Sequence, residues 1–431
     1  MTHHLQYPPG LTHLKAYFES RGGLHPEVVF FGLQYILKKH LCRRVTLEMI
    51  DEAEEILNFH FNNNALFNRA GWEYIVKEHE GKIPICVRAV PEGSVVPVKN
   101  VLFTVESTDE KVPWVANYFE ALFVQTCQVH LSYDLSRARG NIQQHPCGAH
   151  VHSFYRYPST VATNSMAQKR ILKTYTDETS DMSEKLEYQL HDFGCRGVSS
   201  IETAGIGGCA HLVSFTGTDT LPALQVARKY YGPNTLVAGY SVPASEHSTM
   251  TSWGKDQELE VARHLLETFP TGPLSMVSDS YDLWHFIDDI IGKDLKDQVV
   301  SRANSGGHLV IRPDSGDPVE NVLKVLKRLE VAFGAETNSK GFKVLNKAVS
   351  VIQGDGISYE SLKAICGAMK DNGWSISNIL FGSGGALLQK LNRDTQKFAY
   401  KACEVTVNGL KASYGIIFFI IFLRQSFISN V

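Results

Sequence analysis

The chain has 431 residues, is 43% apolar and 20% charged, and carries a formal charge of −3. That balance excludes a wholly disordered chain and a polycation built for nucleic acid, and the length suits one large domain plus a smaller one. Eight cysteines without a regular framework, and a start with no basic-hydrophobic-cleavage signal, favour a reducing, cytoplasmic setting.

Residues 1–126 read as an N-terminal α/β part. Phe30–Leu41 and Leu47–Phe61 have helix-like apolar spacing, the second with Glu48, Asp51 and Glu52 in its early turns. Ile83–Val90 and Val101–Val105 are short β-branched runs, and Pro91, Gly93 and Pro97 mark turns between them. Val115–Gln125 returns to helix. Residues 127–157 break the pattern as an irregular insertion holding His130, His145, Cys147, His150 and His152. Imidazole and thiolate are zinc donors, yet HPCGAHVH follows no structural-site spacing, so a loop is expected.

Residues 158–394 read as a barrel-like catalytic domain. Asn164–Tyr175 is a helix candidate; after it, β-branched runs alternate with amphipathic ones. Leu274–Val277 runs into Ser278-Asp279-Ser280, Leu309–Ile311 into RPDSG at Arg312–Gly316, Val349–Ile352 into QGDG, and Ile379–Phe381 into GSGG at Gly382–Gly385. Asp317 is a helix cap before Pro318. Polar or glycine-rich groups thus follow buried strands repeatedly. Both a barrel and an open doubly wound sheet gather such strand ends on one face, and four distributed junctions favour the α/β barrel. Residues 395–431 form a returning accessory segment. Its Ile416–Leu423, IIFFIIFL, falls well short of the roughly 20 apolar residues of a spanning helix. Membrane association is not expected, and a buried strand or an aggregation-prone terminus fits better.

GYSVPASEHSTMTSWGKD at Gly239–Asp256 places His247 before an amphipathic helix spanning Gln257–Phe269. A histidine at such a junction can titrate beside a substrate. Asp279, Arg312, Asp314 and Asp355 are the polar residues expected beside it. A carboxylate can orient the imidazole, a guanidinium can clamp phosphate, and Asp314 and Asp355 can hold sugar hydroxyls or the waters of a magnesium ion. GSGG can offer successive N–H groups to a phosphate where a helix begins just beyond it. There is no P-loop, nor a GxGxxG in a strand-to-helix setting.

Taken together, QYPP at Gln6–Pro9, FFGLQYIL, AVPEG, LFTVE, HDFGCRGVSS, GYSVPASEHST, SDSYD, IRPDSGDP, VIQGDG, FGSGG and VTVNGL at Val405–Leu410 resemble the nicotinamide phosphoribosyltransferase family of NAD salvage. The resemblance implies an atypical barrel with an additional α/β domain. It also implies transfer of phosphoribosyl from 5-phosphoribosyl 1-pyrophosphate to nicotinamide, with magnesium, ATP coupling and a homodimer. By the same resemblance Phe193 stacks on nicotinamide, Asp219 recognises its amide, and Arg196 and Arg312 act at the base or phosphate end. His247 is the histidine phosphorylated by ATP, with Asp279 orienting its ring. Arg21, Arg393 and Lys401 surround phosphates, and Asp314, Gly354, Asp355, Gly384 and Gly385 contact ribose or phosphate.

The resemblance fails in three places. The family's opening DSYK segment, whose tyrosine forms the second face of the base sandwich from the neighbouring subunit, has no counterpart before Met1. Residues 127–157 interrupt the path to TVATNS at Thr160–Ser165, and KASYGIIFFIIFLRQSFISNV follows Leu410. A retained intron, an alternative transcript or an imperfect gene model would produce such departures, and impaired nicotinamide use is the expected consequence. The competing functions are nicotinate phosphoribosyltransferase and a catalytically weak regulatory or interaction isoform.

Overall fold

The computed structural model describes residues 3–61, 66–124, 158–181, 186–232 and 239–413. The expected insertion at 127–157 and the apolar segment at 416–423 lie outside them. The chain divides into two compact units, Met1–Thr163 with Asn392–Val431, and Asn164–Leu391.

The first unit begins with strands β1 (Leu11–Ser20), β2 (Glu27–Val29), β3 (Ile85–Ala89), β4 (Val95–Pro97) and β5 (Val101–Ser107). The second holds β6 (Leu190–Asp192), β7 (Gly217–Thr218), β8 (Gly272–Val277), β9 (Gly307–Arg312), β10 (Ala335–Thr337), β11 (Lys343–Leu345), β12 (Val349–Gln353) and β13 (Ile379–Ser383). The chain then returns to the first unit with β14 (Phe398–Val407) and β15 (Leu410–Ser413).

The first unit's main sheet is antiparallel with order β15-β14-β1-β5-β3. Leu14, Ala16 and Phe18 alternate along β1 and are buried, as one face of a strand requires. Phe18 stacks on Phe103 at 4.7 Å and on Phe398 at 5.5 Å. Tyr400 stacks on Phe123 at 5.8 Å and donates its hydroxyl to Ala116 O at 2.7 Å. The expected helix over Phe30–Leu41 starts only at Leu33. Gly32 before it is left-handed, with φ 99, a conformation glycine adopts at little cost. The helix start is capped from a distance: Glu92 accepts from Gly32 N at 2.8 Å and Gln34 N at 2.6 Å. Leu47–Phe61 is helical as expected.

In the second unit a parallel sheet runs β7-β6-β13-β12-β9-β8. Its two edges are joined by the stretch that carries His247. Tyr240 bridges to Gly217 and Ala244 to Ser275, both in parallel sense. Tyr240 N donates to Thr216 O at 2.7 Å, and Ser275 N donates to Pro243 O at 2.9 Å. The sheet is therefore curled into an atypical barrel. Pro243 can take part because an edge position needs only its carbonyl.

The outward faces of these strands, including Leu274, Met276, Leu309, Ile311, Val351 and Phe381, share one core with Phe286, Ile287, Val322 and Leu326 of the covering helices. The alternate positions face the interior and are mostly small or polar: His191, Gly217, Ser275, Val310, Ser350 and Gly382. Asp317 caps the helix Pro318–Phe333 by accepting from Glu320 N at 2.9 Å. Among the described residues no helix is long and apolar enough to cross a membrane.

Candidate active site

Six strands of the barrel end in polar or glycine-rich turns: β6 at Phe193, β7 at Asp219, β8 at Asp279, β9 at Arg312 and Asp314, β12 at Gly354 and Asp355, β13 at Gly384 and Gly385. All six are parallel neighbours, so these turns lie on one face, the one where barrel loops can build a pocket.

Phe193 is fixed by backbone and by missing side chains. Its N–H donates to Ser383 O at 2.9 Å, tying the β6 turn to β13. A Cβ on Gly382 would lie 2.0 Å from Phe193 Cε2, and one on Gly354 would lie 3.4 Å from the same atom and 3.2 Å from Asp314 Oδ1. The ring therefore occupies space that only glycine leaves open, and Gly354 stands between it and the Asp314 carboxylate. Beyond it, Gly197 packs against the GSGG turn, where a Cβ would stand 3.3 Å from Gly385 N. The helix Gly385–Leu388 begins there, and Arg196 is exposed.

Asp219 is exposed at the end of β7. Its N–H donates to Asp192 O at 3.0 Å, and its carboxylate accepts a hydrogen bond from Ser241 Oγ. Since β6 pairs with β7, Phe193 and Asp219 occupy adjacent strand ends.

His247 opens a short helix, His247–Thr251. Its Nε2 lies 3.0 Å from Asp279 Oδ1, and its Nδ1 lies 4.0 Å from Asp314 Oδ2. The His247 side chain is 44% exposed and that of Asp279 only 6%, so the imidazole is reachable while its partner is sheltered. Asp279 Oδ2 accepts from Asp314 N at 3.0 Å and Ser315 Oγ at 2.6 Å. One carboxylate thus orients the histidine and holds the RPDSG turn. A ring donating from Nε2 to a carboxylate carries its lone pair on Nδ1.

Arg312 is buried, and its Nη2 lies 3.3 Å from Asp314 Oδ2 and 3.6 Å from Glu246 Oε2. Its Nε is buried without a hydrogen-bond partner. An unpaired guanidinium N–H is costly in such a place, and an anion is the partner its chemistry suits. Asp355 is exposed, and its main-chain carbonyl accepts from Gln353 Nε2 at 3.0 Å.

Arg21 and Lys401 belong to the first unit. With Lys397, Asp394 and Glu120 they line a cavity of about 270 Å³. Arg21 is oriented by Glu19, whose Oε1 accepts from its Nε at 3.1 Å. The Arg393 side chain lies outside the described residues. No group of three or more metal-donor side chains is assembled among the described residues.

Glu246, Ser241, Ser315 and Asp192 were not among the residues expected here. Glu246 directly precedes His247, Ser241 lies earlier in the same GYSVPASEH stretch, and Ser315 lies inside RPDSG. Asp192 is next to Phe193 in HDFG. Adjacency in sequence was the available signal; their partners come from other strands.

The sequence pattern of the nicotinate phosphoribosyltransferase (NAPRTase) family matches residues 188–414, and that of the nicotinamide phosphoribosyltransferase N-terminal domain matches residues 1–87. The nicotinamide phosphoribosyltransferase of Xanthomonas campestris pv. campestris is 47% identical over 411 residues, spanning 95% of this chain and 80% of that protein. The one from Acinetobacter baylyi is 32% identical over 438 residues, spanning 95% and 81%. Among solved structures, human nicotinic acid phosphoribosyltransferase superposes with a TM-score of 0.51 at 16% identity, covering 94% of this chain and 73% of that one. At that identity the likeness is one of fold.

Proposed function

The chain belongs to the nicotinate phosphoribosyltransferase family, and on that premise we propose that it transfers phosphoribosyl from 5-phosphoribosyl 1-pyrophosphate to nicotinamide. Phosphoribosyl transfer in pyridine nucleotide salvage is the chemistry of the family; the choice of nicotinamide, the ATP coupling and the homodimer are the finer parts of this reading. The observation that carries it is the pairing of an aromatic plate, Phe193, with a carboxylate, Asp219, at adjacent strand ends. A flat pyridine stacks on the first. A neutral amide can donate to the second, whereas the carboxylate of nicotinate would be repelled by it.

In the transfer step the pyridine nitrogen attacks ribose C1 as the bond from C1 to the pyrophosphate oxygen breaks. The ring nitrogen becomes a pyridinium, and pyrophosphate leaves with the electron pair. Such a step needs alignment and charge stabilisation more than a protein nucleophile. Phe193 and Asp219 align the base. Arg312, with its unpartnered Nε, Arg196, and the Gly384 and Gly385 N–H groups face the phosphates; Gly354 and Asp355 face the ribose. Arg21, Arg393 and Lys401 of the first unit are basic residues that would suit a phosphate. Magnesium, when bound with the donor, would neutralise phosphate charge. Asp314 and Asp355 suit its waters, since the ion keeps several of them and takes carboxylate oxygens.

ATP coupling is assigned to His247. Its Nδ1 lone pair attacks the γ-phosphorus, the bond to the bridging oxygen of ADP breaks, and water later releases phosphate. Asp279 holds the ring and stabilises the charge it gains. Parallel turnover of nicotinamide and nicotinate, with and without ATP, tests the assignment. Preference for the acid, as the family name would suggest, would replace it with the nicotinate reading.

A further inference from the structure

We propose that Asp192 is a specificity-determining residue of this site, a buried carboxylate behind Asp219 whose negative charge disfavours an anionic pyridine acid against the neutral amide. The inference rests on the base-binding reading above. Asp192 ends β6 and is 0% exposed. Its Oδ1 accepts from Gly194 N at 2.7 Å, which fixes the turn that presents Phe193. Its main-chain oxygen accepts from Asp219 N at 3.0 Å. One residue therefore braces both the ring platform and the amide-recognising carboxylate.

The second carboxylate oxygen is sealed from solvent beneath the helix Ile201–His211. Asp192 Oδ2 is buried with no hydrogen-bond partner, and so is Thr220 Oγ1. The helix Ile201–His211 presses on it so closely that a Cβ at Gly208 would stand 2.8 Å from Oδ2. Burial pushes the carboxyl up to about 7; the charge of Asp219 adds to this, while the Gly194 N–H opposes it.

Among the described residues no Lys or Arg pairs with the Asp192 carboxylate, and Arg196, on the turn just beyond Gly194, is exposed. The β7 turn brings Asp219, itself negative. The helix Ile201–His211 carries His211, which burial holds neutral. The helix Leu221–Val226 brings Ala223 against Gly208, and Gly385–Leu388 brings Leu388 against Gly194. His191 on β6 itself is held below its usual range by burial. Ionised Asp192 thus adds a like charge beside Asp219, at an effective dielectric below that of bulk water.

The test is the nicotinamide-to-nicotinate ratio of kcat/KM from about pH 6 to about pH 8.5, where nicotinate stays ionised. Taking the ratio removes groups that act only on the shared donor. The wild-type ratio is expected to rise about tenfold as Asp192 ionises. Asp192→Asn keeps an acceptor for Gly194 N–H, removes the titration, and should hold the ratio flat at its low-pH value. A merely structural role would instead lower both specificities alike and leave the pH profile in place. A flat wild-type ratio with intact nicotinamide turnover overturns this inference alone. Absence of turnover with either base overturns the base-binding reading and this inference with it. Should the Asn variant not fold, the wild-type profile decides.

Discussion

The ring of Phe193 rests on Gly382 so closely that a single added methyl carbon would lie 2.0 Å from its Cε2 and 2.3 Å from its Cδ2. The plate and the floor beneath it come from neighbouring parallel strands, β6 and β13. Gly382→Ala must therefore push the ring outward or sideways. Misplacing a positioning group by about 1 Å can cost on the order of a hundredfold in rate. The expected result is a rise of at least about tenfold in the KM for the base, with KM for the phosphoribosyl donor changed far less, checked by steady-state kinetics in each substrate.

His247 and Asp279 should separate in mutagenesis. On the proposed assignment, His247→Ala takes away the phosphoryl acceptor and should abolish ATP coupling while basal transfer persists. Asp279→Ala also frees Asp314 N and Ser315 Oγ from their shared acceptor. It should therefore lower basal transfer as well, by about tenfold or more for a lost charged hydrogen-bond partner. Measuring product per ATP hydrolysed, beside ATP-independent product formation, distinguishes the two. Equal coupling in wild type and His247→Ala would remove the histidine from this role.

Arg312→Lys is expected to act at the phosphate end. The guanidinium reaches Asp314 and Glu246 through Nη2 and keeps a buried Nε without a partner. Lysine cannot supply this planar set of donors. The KM for the phosphoribosyl donor should rise about tenfold or more, and the base KM little, in the same kinetic assay.

Two buried groups of the second unit should oppose one another in the dependence of stability on pH. Burial raises the Asp192 carboxyl from 3.8 to about 7. The folded state then holds a proton that the unfolded chain has released, so stability falls as pH rises between those values. Burial lowers His211 from 6.5 to about 3; the unfolded chain binds the extra proton, so stability falls as pH drops between those values. Each contribution is on the order of 4 kcal/mol, by 1.36 kcal/mol per unit of pKa. Asp192→Asn removes one side of the balance. Its Tm relative to wild type should be higher above pH 7 than near pH 4, and thermal melts across that range check the sign.

Much of the barrel was legible because its later strands are short β-branched runs followed by glycine or carboxylate, as at β8, β9, β12 and β13. The helix Leu47–Phe61 was legible from its apolar spacing. What was missed depends on distant partners. β1 pairs with β14, joining Leu11 to Val407 and Ser20 to Phe398, and no local period announces that. Closure of the sheet by Tyr240–Ala244 was hidden because Pro243 reads as a breaker, although its carbonyl alone makes the required bond to Ser275 N. In the site, His247 and Asp279 were recognised as residues to bring together, and they are 3.0 Å apart. The dual service of Asp279 to His247 and to the RPDSG turn, and the burial of Asp192 behind Asp219, needed three-dimensional placement.

In the proposed reading, the Phe193 and Asp219 pair selects a neutral pyridine amide. Its most direct test is a parallel product assay with nicotinamide and nicotinate, each with phosphoribosyl pyrophosphate, magnesium and ATP, on wild type and Asp219→Ser. Nicotinamide mononucleotide is the expected preferred product of the wild type, with the preference reduced by at least about tenfold in the variant, the scale expected when a charged discriminating contact is lost. Preferred turnover of nicotinate by the wild type, or a preference unchanged by Asp219→Ser, would contradict it.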